Sequence, residues 1–437
     1  MYKIRVISAG SRDGDGGRVW PLKLSFGPGR GFRRAGAGWL FSFMQKIGLC
    51  RLALVVGGLL AGSARPALAW GVLGHRVVTQ VAVYGLPAPM QAFYYRHLPA
   101  LVRQSTAPDE RRAQDPAEAL RHVIYLDHYA ERNPFAKIPR GFDEAATKFS
   151  ADTLAKYGTL PWAVLDTQEK LVAAFRARDT LDIVRLSAEL SFYAADACVP
   201  LRTTLNYDGQ LTGQAGLLGL WETQLPERFL DKYKLFGPGA RELPDPAAAV
   251  WAVLQSSYGF LTATYDLETK VAKGFTPRTK YAFAHRYGRT ERRYADAFAD
   301  AYEEQVGGMV AFRLKEAAPL VASLWLTAWT QAGKPDLGAL MLPARLGKDE
   351  KERLTTELKA WKANTLAQDR LLLAQQKQAV AAETDDIEAA EADAPATPAA
   401  PASSGAVGGG VAPAAAAKVK VKIKTPDAGS EKVKAKP

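Results

Sequence analysis

Apolar positions recur at helical spacing along most of the chain from Trp70 to about Val380. After Asp245-Pro246, an N-cap residue followed by a first-position proline, Val250, Val253, Leu254, Tyr258 and Leu261 return every three or four residues. Leu181–Ala197 lines up Val184, Ala188, Ser191 and Ala195 as one small, close-packing face. Tyr294, Phe298 and Tyr302 recur every four residues, as do Leu354 and Leu358 before Trp361, and Val321, Leu324, Trp325, Ala328 and Trp329 form an apolar stripe. These rings predict helices that bury one face each, with the aromatics as core. No two alternating runs are joined by a recognisable two-residue turn, so no hairpin is predicted, and no segment repeats at a fixed period. The pattern predicts an all-α fold, with one multi-helix domain over residues 70–345 and a C-terminal helix over residues 346–380.

Beyond residue 380 the pattern stops. Glu383–Asp393 holds six acidic residues, Ala394–Ala417 is almost wholly Ala, Pro, Gly and Ser, and Lys418, Lys420, Lys422 and Lys424 alternate with apolar residues. Such a segment buries too little surface to offset its chain entropy, so residues 381–437 are predicted to be a disordered tail.

The other end reads as a targeting segment. Lys46 and Arg51 precede an apolar run from Leu52 to Ala61, and Ala67-Leu68-Ala69 has the small-x-small form of a cleavage site. Residues 44–69 are therefore expected to be a signal peptide, removed after Ala69. Its apolar run falls well short of the roughly 20 residues that span a bilayer, and the mature chain offers no transmembrane segment. Residues 1–43 hold nine Gly and show no period, which suits sequence upstream of the true start or a long basic leader. The expected product is exported, either periplasmic or secreted. It retains a single cysteine, Cys198, so no intramolecular disulfide can brace it.

Export also changes the meaning of the charge. The whole chain carries a formal +12, but residues 1–43 alone have eight Lys/Arg against two Asp, and residues 44–69 add three more Lys/Arg. The remainder is close to neutral, so no strong nucleic-acid signature is left.

The candidate chemistry lies in five segments. They are Trp70-Gly71-Val72-Leu73-Gly74-His75, Arg121-His122-Val123-Ile124-Tyr125-Leu126-Asp127-His128-Tyr129, Ala195-Asp196-Ala197-Cys198-Val199-Pro200-Leu201-Arg202-Thr203-Thr204, Asn206-Tyr207-Asp208-Gly209-Gln210-Leu211-Thr212-Gly213-Gln214, and Gly219-Leu220-Trp221-Glu222. In this order and spacing the chain resembles the three-zinc phosphoesterases, a superfamily that includes zinc-dependent phospholipase C and the single-strand-specific nucleases. The likeness runs from Trp70 to about Leu337, where Lys280-Tyr281-Ala282-Phe283 and Trp329-Thr330-Gln331-Ala332-Gly333 also fit. It implies an all-α fold with a metal cleft between helices. It also implies that Trp70, as the first residue of the processed chain, would ligate one zinc ion together with His75 and Asp196. His122 would ligate a second ion, shared through Asp196, and Glu222 a third.

Several implied ligands are missing. Phe192 stands where the family has a histidine four residues before the bridging Asp, Leu218 stands four residues before Glu222, and Arg202 replaces a histidine six residues after Asp196. The acid expected upstream of His122 falls on Ala107, with Asp109 two residues away. Phe and Leu donate nothing to a metal, and Arg brings a permanent positive charge. The resemblance therefore implies a degenerate homologue with at most one well-formed zinc site, weak or inactive as an enzyme, with no catalytic residue assignable. Arg202 is expected to pair with Asp196 or Glu222 and to offer a phosphate contact, so a phosphate-containing small molecule or lipid head group is the expected ligand class. The alternative is an active zinc hydrolase of phosphodiesters that works with a reduced metal set.

Overall fold

The computed structural model describes residues 70–376, apart from 113, 131–132 and 287–288. Over these residues the protein is predominantly helical. The signal-peptide and tail assignments, on residues 1–69 and 381–437, lie outside the described residues.

The longer helices are α1 (Gly71–Tyr84), α2 (Ala88–Arg96), α3 (Leu98–Gln104), α4 (Leu160–Ala177), α5 (Thr180–Asp196), α6 (Pro246–Gly259), α7 (Leu261–Ala272), α8 (Asp296–Gln331) and α9 (Lys348–Ala363). Helices α4 and α5 form a hairpin because Arg178, in the left-handed conformation, ends one and Asp179 caps the other. The Asp179 side chain accepts a hydrogen bond from the Asp182 N–H. Asp245 caps α6 in the same way, accepting from the Ala248 N–H at 2.8 Å, as the Asp-Pro pair predicts. At the centre, α5 packs on α4, α8 and α1, while α1 also rests on α3 and α8. Trp325 of α8 donates its indole N–H to the Ser187 carbonyl of α5, and its ring stacks on Tyr94. The predicted stripe on α8 is this core face.

Three features depart from the sequence expectation. A two-stranded antiparallel hairpin, β1 (Tyr281–Arg286) with β2 (Arg289–Tyr294), interrupts the helices. Tyr294 therefore ends a strand rather than opening a helix. Its ring still contacts Phe298, with centroids 4.7 Å apart and planes tilted by 39°, so the contact that helical periodicity suggested survives by another route. The helix expected over residues 346–380 stops at Ala363, where Asn364 adopts a left-handed conformation. The chain then turns back, and Leu371 and Leu373 bond to the side chain of Gln80 on α1. Finally, Leu220–Gln224 forms a π-helical turn between two short α-helical segments. Among the described residues no helix is long and apolar enough to cross a membrane.

Candidate functional site

Helix α1 starts where the chemistry starts. Trp70 is fully buried, its indole N–H donates to the Ala195 carbonyl at 2.8 Å, and its ring lies against Trp221. Gly71 has φ +45°, and a Cβ there would lie 2.9 Å from Thr223 Oγ1, so only glycine fits without displacing a neighbour. The Trp-Gly pair is thus clamped between the residue before Asp196 and the residue after Glu222. One turn into α1, His75 faces the last turn of α5, with its Nε2 3.5 Å from Asp196 Oδ1.

The second histidine arrives from a short segment after the helix Pro116–Leu120. The Ile124 N–H donates to the Arg202 carbonyl, which holds the His122 segment beside the Arg202 turn. His122 Nδ1 lies 3.6 Å from Asp196 Oδ2 and 3.7 Å from Asp109 Oδ1. Its Nε2 faces Glu118 Oε1 at 3.3 Å. With the ring neutral, Nε2–H is assigned as the donor to Glu118, and the Nδ1 lone pair then points at two carboxylates. Glu118 itself accepts a hydrogen bond from the Tyr193 hydroxyl and meets Arg111 at 3.4 Å.

Phe192 and Arg202 both lie in this cluster. Phe192 stacks on the His75 ring, with centroids 3.9 Å apart and planes 15° from parallel, and meets His122 edge-on. Arg202 aims its fork at Glu222: Nε donates to Oε1 and an Nη donates to Oε2, both at 2.9 Å. This planar, two-point contact is the strong form of an arginine–carboxylate pair, and it meets the expectation that Arg202 would find one of the two acids. Arg112 forms a second ion pair beside it, 2.6 Å from Asp109. Arg202 is 3% exposed, while Asp196 and Glu222 are sealed completely.

Burial dominates the electrostatics. It pushes Asp196 up to about 7 against the pull of Arg202 and Arg112, and Asp109 up to about 6 against Arg112. It also drives His122 down to about 3, so the imidazole stays neutral. Glu222 is raised as well, first by burial and then by repulsion from Asp196 and Asp109, while Arg202 opposes the shift. Glu118 differs. Burial works against its charge, but the bonds from His122 and Tyr193 hold it down at about 2.

The structure therefore brings Trp70, His75, His122, Asp196, Arg202 and Glu222 into one buried cluster. Sequence reasoning passed over Arg112, Glu118 and Tyr193, and kept Asp109 only as a substitute. The signals were present as Asp109-x-x-Arg112 and Glu118-x-x-x-His122, spacings that set side chains on one helical face. The motif residues around Asn206 serve the backbone. Asp127 accepts from the Leu205 N–H and the Thr204 hydroxyl, and Asp208 accepts from the N–H groups of Gly216 and Leu218. His128 is exposed and stacks on Tyr157. Cys198 packs with its thiol toward the Ala194 carbonyl.

A three-zinc set does not fit these residues. Glu222 is already held by a guanidinium, and Phe192 and Leu218 are buried side chains without a donor atom. Among the described residues no group of three or more His, Cys, Asp or Glu side chains has the arrangement to hold a metal ion. Neither models of known protein families nor curated protein sequences match this chain.

Proposed function

We propose that this protein is an exported, degenerate homologue of the zinc-dependent phosphodiesterases, inactive as a hydrolase and working by binding or scaffolding. Fixed arginines have taken over the charge role of the metal ions. The observation that carries this reading is the Arg202–Glu222 fork, closed from solvent beside an Asp196 whose oxygens accept no hydrogen bond. A catalytic zinc needs about three protein ligands and an open position for water, at ~2.0–2.2 Å. A guanidinium stands where the resemblance implies one imidazole ligand, and Phe192 and Leu218 bring no donor in place of two others, so a metal pair that clamps attacking and leaving oxygens lacks the ligands to assemble. The order of the motifs and the convergence of His75, His122, Asp196 and Glu222 support descent from an active ancestor. Export with Trp70 as the first residue belongs to the same reading.

Phosphate binding at Arg202 requires an anion to displace Glu222 from the fork, so it is the costliest part of the reading. The experiment is turnover of bis(4-nitrophenyl) phosphate, phosphatidylcholine and single-stranded DNA by protein processed to Trp70, with and without added zinc. The reading predicts no rate above buffer in any arm. Zinc-dependent turnover that His75→Ala abolishes would establish the alternative instead, an active hydrolase with a reduced metal set. That alternative draws its support from the two imidazoles that approach Asp196 at 3.5 and 3.6 Å.

A further inference from the structure

The charge of the folded region is concentrated in one place. Residues 270–293 contain eight Lys/Arg against the single acid Glu291, whereas the rest of residues 70–376 has thirty Lys/Arg against thirty-four Asp/Glu. This segment runs from the last turn of α7 through the short helix Pro277–Lys280 into the β1–β2 hairpin. Lys280 and Arg293 are used inside the fold, pairing with Glu268 at 2.7 Å and Asp296 at 2.9 Å. Lys280 also lies over the rings of Tyr281, Tyr294 and Phe298, which fastens the base of the hairpin to α8. Lys270, Lys273, Arg278 and Arg292 are exposed.

Apolar side chains are exposed on the hairpin itself and on the loop bonded to its base. Phe283 is 54% exposed, and the register sets it opposite Arg292, on the face that also carries Tyr281. The loop that packs against the hairpin base presents Leu211, which is 70% exposed. That loop is tied down by the Tyr294 hydroxyl, which donates to the Gln214 carbonyl, and by the Gln214 amide, which donates to Glu268. A basic surface studded with protruding aliphatic and aromatic side chains is what an anionic bilayer receives. The cations meet head groups while the apolar tips enter the boundary with the acyl chains. A nucleic-acid strand makes use of the cations and the ring but gives a protruding leucine no partner, so the leucine favours lipid.

We infer that the α7–hairpin surface docks this protein on an anionic phospholipid bilayer. The inference does not depend on the state of the buried cluster. The test is flotation of the full exported chain with vesicles of phosphatidylcholine alone, and with about a third phosphatidylglycerol, at low and at about physiological salt. Native protein is expected to float with the anionic vesicles only, and less so in salt. Lys273→Glu with Arg278→Glu should lower partitioning by about tenfold or more. Lys359→Glu with Lys362→Glu, the same charge change on exposed positions of α9, should leave it near native, and Phe283→Ala should weaken it severalfold without changing its salt response. Circular dichroism confirms that each variant is folded. Absence of flotation at low salt overturns the inference. So does equal loss from the α9 reversal, native partitioning by the Lys273/Arg278 variant, or single-stranded DNA binding through Lys273 and Arg278 without vesicle binding.

Discussion

Arg202→Ala should destabilise the fold by about 3–5 kcal/mol, the largest single effect expected at the cluster. The cost is not the worth of the ion pair. It arises because Glu222, completely buried, would be left without the guanidinium that meets both of its oxygens, while Asp196 and Asp109 remain nearby. Replacing both partners with apolar groups of similar size, as Arg202→Met with Glu222→Leu, should recover most of that loss, because a buried pair roughly cancels its own desolvation. Denaturant midpoints of the two variants separate the cases. A double variant as unstable as Arg202→Ala would mean that Arg202 supports Asp196 or Asp109 more than it supports Glu222.

Asp196→Asn should be destabilising or neutral at low pH and become favourable, relative to the native protein, as pH rises. The folded value of Asp196 is raised to about 7 from an ordinary 3.8, so the folded state holds a proton that the unfolded chain has released. The stability this contributes is fully present below about 4 and is lost as pH climbs through about 7. Within that window the native protein should fall by ~1.4 kcal/mol per pH unit from this residue, while the neutral amide does not titrate. His122 has the opposite sign, because its folded value is depressed to about 3, and its contribution grows as pH rises toward 6.5. It is present in both proteins, so the difference between them isolates Asp196. If Asp196 bridged metal ions, the amide would remove ligand charge and the variant would become less stable at neutral pH. Chemical denaturation from pH 4 to pH 8 reads the sign directly.

The helical core was legible because period and caps agree. At α6, Asp245-Pro246 and the apolar ring point to the same helix, and at α5 the small face at Val184, Ala188, Ser191 and Ala195 matches close packing against its neighbours. The cluster could be anticipated because its residues sit in short motifs whose order is informative: His75 one turn into a helix, Asp196 at the end of another, Arg202 six residues on. The hairpin was hidden by its chemistry. Its strands alternate Tyr281, Phe283 and His285 against Arg292 and Thr290, without an Asn-Gly or Asp-Gly turn, and Tyr294 falls in helical step with Phe298. The π turn at Leu220–Gln224 has no periodic signature, yet it carries Glu222. The Arg112–Asp109 pairing was readable as a spacing, but its place beside His122 is a tertiary fact. The net charge misled in a similar way. The nearly neutral total over residues 70–437 conceals a basic stretch at residues 270–293, because acidic residues elsewhere offset it.

The central claim is that arginine–carboxylate pairing has replaced metal binding at this cluster. Elemental analysis of zinc per chain measures it most directly, in protein exported, processed to Trp70 and dialysed against zinc-containing buffer. At most one zinc per chain is predicted, loosely held through Trp70, His75 and Asp196 and absent from His75→Ala. Two or three zinc ions retained per chain would contradict the account, because Arg202 would then have to leave Glu222 to make room for them.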